Sequence, residues 1–241
     1  MGSYESFPAY VPVAERKKRA AKSVEKIKKK NKDISPVVIT GNSIAKTWWG
    51  KSWNKNLESY ADYSNRIGRG RSYLKNGAVL DLKITEGNIN ALVQGSRSKP
   101  YKVDISIKAL PKDIWEAIMN QCFGKIESIE ELIDGKFPKS LADFFTAKGK
   151  GLFPSPNEIS LCCNCPDWAI MCKHIAAVLY GVGARLDDNP ELFFVLRQVN
   201  INDLISEAIN KKTQTLLEKS NSKGRRVIEE TDIFDMFGID V

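Results

Sequence analysis

Histidine is almost missing from this 241-residue chain, which has one, His174. Sites built from several imidazoles are therefore excluded, and any His-dependent acid/base role would have to share that single residue. No stretch approaches the ~18 consecutive apolar residues that mark a membrane span, so none is expected. A Walker-type glycine loop is also lacking, which counts against a P-loop nucleotide hydrolase. Acidic residues form no pair with nuclease spacing, although Asp81, Asp104 and Asp113 stand as scattered carboxylates. Cysteines number five, an odd total with Cys162 and Cys163 adjacent. No secretory leader precedes them, so a disulfide framework fits poorly and a reducing, cytoplasmic setting is expected.

Positive charge, by contrast, is plentiful. The net charge is +8, which invites a polyanionic partner. It is unevenly spread: residues 1–32 carry ten Lys/Arg against three Asp/Glu, and residues 227–241 carry five acidic residues and no basic one. Segment 1–40 reads as a basic, mobile or partly helical arm with few large apolar residues, suited to phosphates or merely to solubility. Segment 220–241 reads as a linker and an acidic, apolar tail, with Ile233, Phe234, Met236, Phe237 and Ile239, that docks on the body or on a partner.

The stretch between these ends has globular character. Trp49, Trp53, Leu57 and Tyr60 recur at helical spacing and predict an amphipathic helix over 49–63 with a core-facing aromatic stripe. Arg66-Ile-Gly-Arg-Gly-Arg71 reads as a loop ahead of a strand, where glycine permits close backbone approach and arginine offers forked donors to phosphate. Ser72 to Leu74 reads as a strand, Asn76-Gly77 as a type I′ hairpin, and 78–85, 89–93 and 101–107 as further strands of an antiparallel meander. Arg97 and Lys99 lie in its last turn, where they would join the arginines at 69 and 71 if the loops share an edge. Pro111 opens a helix through Trp115 and Ile118, and a second helical run is expected over 126–133. A short helix follows over 140–145. This gives 41–110 as an aromatic helix plus sheet domain and 111–157 as a helical connector.

Four of the five cysteines and the sole histidine cluster between positions 162 and 174. Cys163-x-Cys165 followed by Cys172-x-His174 supplies four soft or borderline donors, the set a tetrahedral zinc requires. Residues i and i+2 of a strand share a face, so both thiolates of the first pair reach one ion. The second pair stands at the entrance of a helix beginning near Ile175, where the positive dipole end favours thiolate. Cys162-x-x-Cys165 is the alternative first pair. Catalytic zinc sites keep an open position, so four protein ligands point to one closed, structural zinc. Helices over 175–186, 190–196 and about 201–217 are expected to buttress it, because a knuckle this small cannot bury enough apolar surface alone.

With Cys165-Pro-Asp-Trp168 and Cys172-Lys-His-Ile-Ala-Ala-Val-Leu-Tyr180 around the ligands, this stretch resembles the SWIM zinc finger. The resemblance extends to prokaryotic SWIM-finger proteins of unassigned activity through Trp48-Trp-Gly-Lys-Ser-Trp53, Gly68-Arg-Gly-Arg-Ser-Tyr73, Val93-Gln-Gly-Ser-Arg97, Pro100-Tyr101 and Asn189 to Arg197. It favours Cys163 over Cys162. It implies DNA binding or protein interaction, since SWIM fingers occur with helicase-like remodelling ATPases and Mutator-type transposases.

The fold expected is α+β: a small antiparallel β-meander domain with helices, followed at 158–219 by a ββα-like SWIM zinc knuckle buttressed by C-terminal helices. The function expected is a non-enzymatic zinc-binding protein contacting nucleic acid, DNA ahead of RNA, or a nucleic-acid-acting partner such as a helicase-like ATPase. A protein-protein adaptor and an accessory subunit of a nucleic-acid-processing enzyme are the alternatives. The contact residues expected are Arg66, Arg69, Arg71, Arg97, Lys99, Trp168 and Lys173.

Overall fold

Alternation of apolar and polar residues between positions 79 and 107 produces three strands, as the pattern predicts: β1 (Val79–Thr85), β2 (Asn88–Val93) and β3 (Tyr101–Ile107). The computed structural model describes residues 11–30, 33–122 and 139–221. Strand β4 (Ile159–Cys163), which carries the first ligand pair's leading cysteine, adds antiparallel to β3. The sheet order is β1-β2-β3-β4, so the meander and the zinc segment share one sheet. Its inner face presents Ile89, Ala91 and Val93 from β2 and Tyr101, Val103, Ile105 and Ile107 from β3, all buried.

Eight helices flank the sheet among the described residues, and one of them is central. They are α1 (Val13–Lys30), α2 (Trp48–Glu58), α3 (Ser64–Lys75), α4 (Lys112–Cys122), α5 (Ala142–Thr146), α6 (Lys173–Asp188), α7 (Leu192–Arg197) and α8 (Ile201–Asn221). Eleven residues of α6 are buried, on more than one side, so it must lie between two layers. It touches all four strands on one side and α2 and α3 on the other. Among the described residues no helix is long and apolar enough to cross a membrane.

The aromatic stripe of α2 faces this core as its spacing predicts, although the helix ends at Glu58 rather than reaching position 63 and Tyr60 stands in the turn beyond it. Trp53 is buried, its Nε1–H donates to the Leu179 carbonyl at 3.0 Å, and its ring meets Phe193 edge-on at 5.6 Å. Helix α4 buries Trp115 and Ile118 as expected, and the Trp115 N–H reaches back to the Pro111 carbonyl at 3.0 Å. Arg197 at the end of α7 is nearly fully buried and ties three segments together. Its Nη2 donates to Glu158 at 2.6 Å and its Nη1 to the Lys108 carbonyl at 2.8 Å.

Three readings of the sequence are corrected. Arg66 to Leu74 is neither loop nor strand but helix α3, because Ile67, Gly70, Tyr73 and Leu74 repeat at helical spacing and are buried. Gly70 serves helix packing rather than a ligand: a Cβ there would stand 2.5 Å from the Cβ of Ala176 on α6. Asn76-Gly77 ends α3 instead of turning a hairpin. Gly77 takes the left-handed φ of +70°, its N–H bonds the Leu74 carbonyl at 2.9 Å, and the Ala78 N–H bonds the Tyr73 carbonyl at 3.0 Å, a Schellman C-cap. Helix α8, expected to cover the finger along its length, buries Leu204 near its start but leaves Ile209, Leu216 and Leu217 exposed. The helical run expected at 126–133 and the acidic, apolar tail at 228–241 lie outside the described residues.

The basic segment at the start folds as α1, an 18-residue helix. Ala20 is its buried contact. Ser23 Oγ donates to Gln94 Oε1 at 2.8 Å, and Arg19 Nη1 to the Ser96 carbonyl at 3.4 Å, so α1 lies against the loop that joins β2 to β3.

Candidate metal centre

Strand alternation decides which thiol faces inward. Cys162 stands opposite Asp104 and is exposed, whereas Cys163 stands opposite buried Val103 and turns toward the core. Cys165 follows two residues on. Cys172 is the N-cap of α6, and His174 lies in its first turn. The ligand atoms of Cys163, Cys165, Cys172 and His174 all lie within 4.8 Å of one another. His174 Nδ1 is 3.9 Å from Cys163 Sγ and 3.9 Å from Cys172 Sγ. Tetrahedral zinc would hold such N···S pairs about 3.6 Å apart and S···S pairs about 3.8 Å apart, so the donors need to move only slightly. Three thiols and one imidazole form a closed, soft donor set, and the cluster fits one structural zinc ion.

Protonation follows from the same geometry. Hydrogen bonds from Cys163 and Cys172, aided by the Asp167 backbone N–H, push the Cys165 thiol strongly down. Cys163, whose hydrogen is engaged by Cys165, is pushed strongly up. Burial lowers the pKa of His174 and keeps the ring neutral, the form that donates a lone pair to a metal.

The histidine is oriented by aromatic packing. Tyr101 stacks on it with centroids 4.3 Å apart, and Tyr73 meets it edge-on at 5.5 Å. Nε2 is buried and has no hydrogen-bond partner among the described residues, whereas a ligating imidazole ordinarily donates its second N–H to an acceptor. Gly95 closes the pocket: a Cβ there would stand 2.8 Å from Tyr101 Cδ2 and 3.0 Å from His174 Nε2. Tyr73, Gly95 and Tyr101 each lie in segments that the likeness to SWIM-finger proteins singles out, but only the fold shows that they pack around the histidine.

The family model of the SWIM zinc finger matches residues 149–182. All four donors of the cluster fall within that match. The chain is 36% identical over 168 residues to an uncharacterized protein of Mycobacterium tuberculosis, an alignment covering 69% of this chain and 60% of that relative. It therefore spans less than two thirds of that relative's length. No solved structure matches the chain.

The seven residues expected to contact nucleic acid divide by their surroundings. Arg66 is turned inward, with Nη2 donating to Asp167 Oδ1 at 3.0 Å, beside the SWIM finger's knuckle. Lys173 is largely covered, its Nζ 4.0 Å from Asp167, and burial, together with nearby Arg69, lowers its pKa. Arg71 faces away toward Glu58 at 2.6 Å and Tyr180 at 2.7 Å. Arg69, Arg97, Lys99 and Trp168 are exposed.

Of these, Arg97, like one residue the sequence did not single out, lies over a ring packed on His174. Arg16 of α1 lies over the Tyr73 ring at 5.5 Å, and Arg97 lies over Tyr101 at 5.8 Å. Burial raises the Tyr73 pKa, and the charges of Arg16 and Arg69 oppose that rise, so both act electrostatically on its hydroxyl. The helical spacing of Arg16, Arg19, Ala20 and Ser23 was the available signal that one side of α1 docks.

Proposed function

We propose that this protein is a non-enzymatic binding module in which a zinc-stapled fold presents a basic face to the phosphate backbone of nucleic acid. The observation that carries the reading is that Arg16 and Arg97 lie over Tyr73 and Tyr101, the two rings packed on His174, with exposed Arg69 close enough for its charge to act on Tyr73. None of these three arginines has an ion-pair partner among the described residues, and exposed Lys99 has none either. Guanidinium groups held over aromatic rings keep their outer donors for phosphate. A non-enzymatic role is supported by the four protein donors, which leave no open coordination position. DNA is proposed ahead of RNA on the likeness to SWIM fingers.

Titration of labelled DNA and RNA against salt tests the reading. Log affinity should fall linearly with log salt, with a slope of about −0.9 per phosphate neutralised on duplex DNA. The pair Arg69→Glu and Arg97→Glu should lower affinity at least about tenfold and flatten that slope by about two. Unchanged affinity in this variant, with zinc still bound, would sink the assignment.

A second reading is attachment to a nucleic-acid-acting protein such as a helicase-like ATPase, favoured by the exposed Ile209, Leu216 and Leu217 of α8. Leu216→Ser together with Leu217→Ser should then remove a partner from a nuclease-treated pull-down; an unchanged pull-down excludes α8 as the attachment point.

A further inference from the structure

The turn between the two ligand pairs leaves large side chains in water. Trp168 is 77% exposed and Ile170 72%, beside Tyr63 at 39%. The indole is nonetheless held in place. Tyr63 meets it edge-on, with centroids 5.2 Å apart at 80°. Asp62 accepts the N–H of Ile170 at 2.9 Å and of Met171 at 3.3 Å, and Arg66 grips the preceding Asp167. A flat ring pre-placed in solvent by two carboxylate clamps is a presented surface, and the fold gains nothing from its exposure.

What surrounds the ring identifies its occupant. Tyr63 is the N-cap of α3. From there Arg66, Arg69 and Tyr73 follow at intervals of three and four, so they share one side of the helix. The ridge runs from Trp168 toward Tyr73, Arg16 and Arg97, about 15 Å at 1.5 Å per residue. What distinguishes this patch from an apolar docking face is the positive charge that follows it along α3 and α1, at Arg69 and Arg16. Arg66 is held by Asp167, so the free positive charge begins at Arg69, and one solvated indole ahead of it fits a base whose phosphates run on to the arginines.

We propose that Trp168 is a stacking platform for an unpaired base, and that the nucleic acid taken by this face is single-stranded, its phosphates following α3 past Arg69 to Arg16 and Arg97. The inference rests on the nucleic-acid reading above. A paired base inside a duplex cannot offer its face to the indole, so stacking selects single strands.

The test uses the full zinc-loaded chain and three labelled probes: an oligo-dT strand of about twelve nucleotides, the same backbone with abasic sites, and a duplex of equal length. Oligo-dT should bind more tightly than either other probe. Trp168→Ala should weaken oligo-dT binding about tenfold, to the level of the abasic strand, while leaving abasic and duplex binding unchanged. Trp168→Phe should keep most of the affinity. Because the ring is exposed, zinc content and melting temperature should not move in either variant. Oligo-dT binding that survives Trp168→Ala overturns the platform while leaving the basic face intact, provided Arg69→Glu with Arg97→Glu still weakens it. A duplex preference also overturns it. If no probe binds at low salt, the nucleic-acid reading itself fails. If Trp168→Ala instead strips a protein from a nuclease-treated pull-down with oligo-dT affinity unchanged, the patch belongs to a protein partner.

Discussion

Cys162 and Cys163 are neighbours with opposite fates, and the cause is strand parity. Successive side chains of β4 point to opposite faces, so only one of the two can look inward toward Cys165, Cys172 and His174. Cys163→Ser should drop zinc content from about one per chain to near zero by metal analysis, removing a ligand from a site type whose binding energy reaches about 10–16 kcal/mol. Cys162→Ser should keep its zinc and shift stability by no more than about 0.5 kcal/mol. Equal loss of metal in both variants would mean that the first ligand pair has been misassigned. Gly95 is the second residue whose identity is dictated by the centre. Gly95→Ala should cost about 1–3 kcal/mol in chemical denaturation, since a methyl group there must displace the Tyr101 ring or the His174 imidazole it packs on. A neutral effect would show that the loop from β2 to β3 moves freely over the site.

At the scale of elements, the joint between α7, the stretch before β4 and the end of β3 depends on the pair of Arg197 and Glu158. Burial pushes the Glu158 carboxyl up, but the Ser155 N–H at 2.8 Å, the Arg197 guanidinium at 2.6 Å and the Ser155 hydroxyl at 2.7 Å outweigh it and hold it below the ordinary range. The charged form is therefore favoured in the folded state. Its contribution is complete above the unfolded carboxylate pKa of about 4.3 and is lost as pH falls through the lower folded value. Glu158→Gln should cost about 3 kcal/mol at neutral pH, because it strands the buried guanidinium, and the gap to the parent should shrink on acidification. Thermal melts from pH 7 down to about pH 2.5 read both effects, and since acid weakens zinc binding in both proteins, their difference isolates Glu158. A gap independent of pH would assign the cost to packing alone. Helix α3 makes a related point: its arginine–glycine run looked like a loop because glycine weakens helices, yet Gly70 is there to let α3 approach Ala176.

On the scale of the whole molecule, the finger is not an appendage. Its strand is one of four in the common sheet, and its helix α6 lies between that sheet and α2 with α3. Removing zinc should therefore loosen the entire body. A chelator at neutral pH should lower the melting temperature by about 10 °C or more, with far-ultraviolet circular dichroism and the near-ultraviolet signal of buried Trp53 moving together. If the helical signal melts while the Trp53 signal stays, the finger is a separable unit.

Local chemistry was enough to place the ligand set, because the donors lie within twelve residues and a strand and a helix entrance orient them by their own periodicity. The three strands of the meander, the core-facing stripe of α2, the helix opened by Pro111 and the helical start of α6 were legible for the same reason. What required the folded chain was every relation across long sequence separations. That β4 pairs with β3, that Arg66 is held by Asp167, and that Arg16 and Arg97 lie over the two rings packed on His174 all depend on packing about α6. Periodicity says which side of an element is apolar. Only the closing of one apolar side on another decides which charges are consumed inside the protein and which are left facing water.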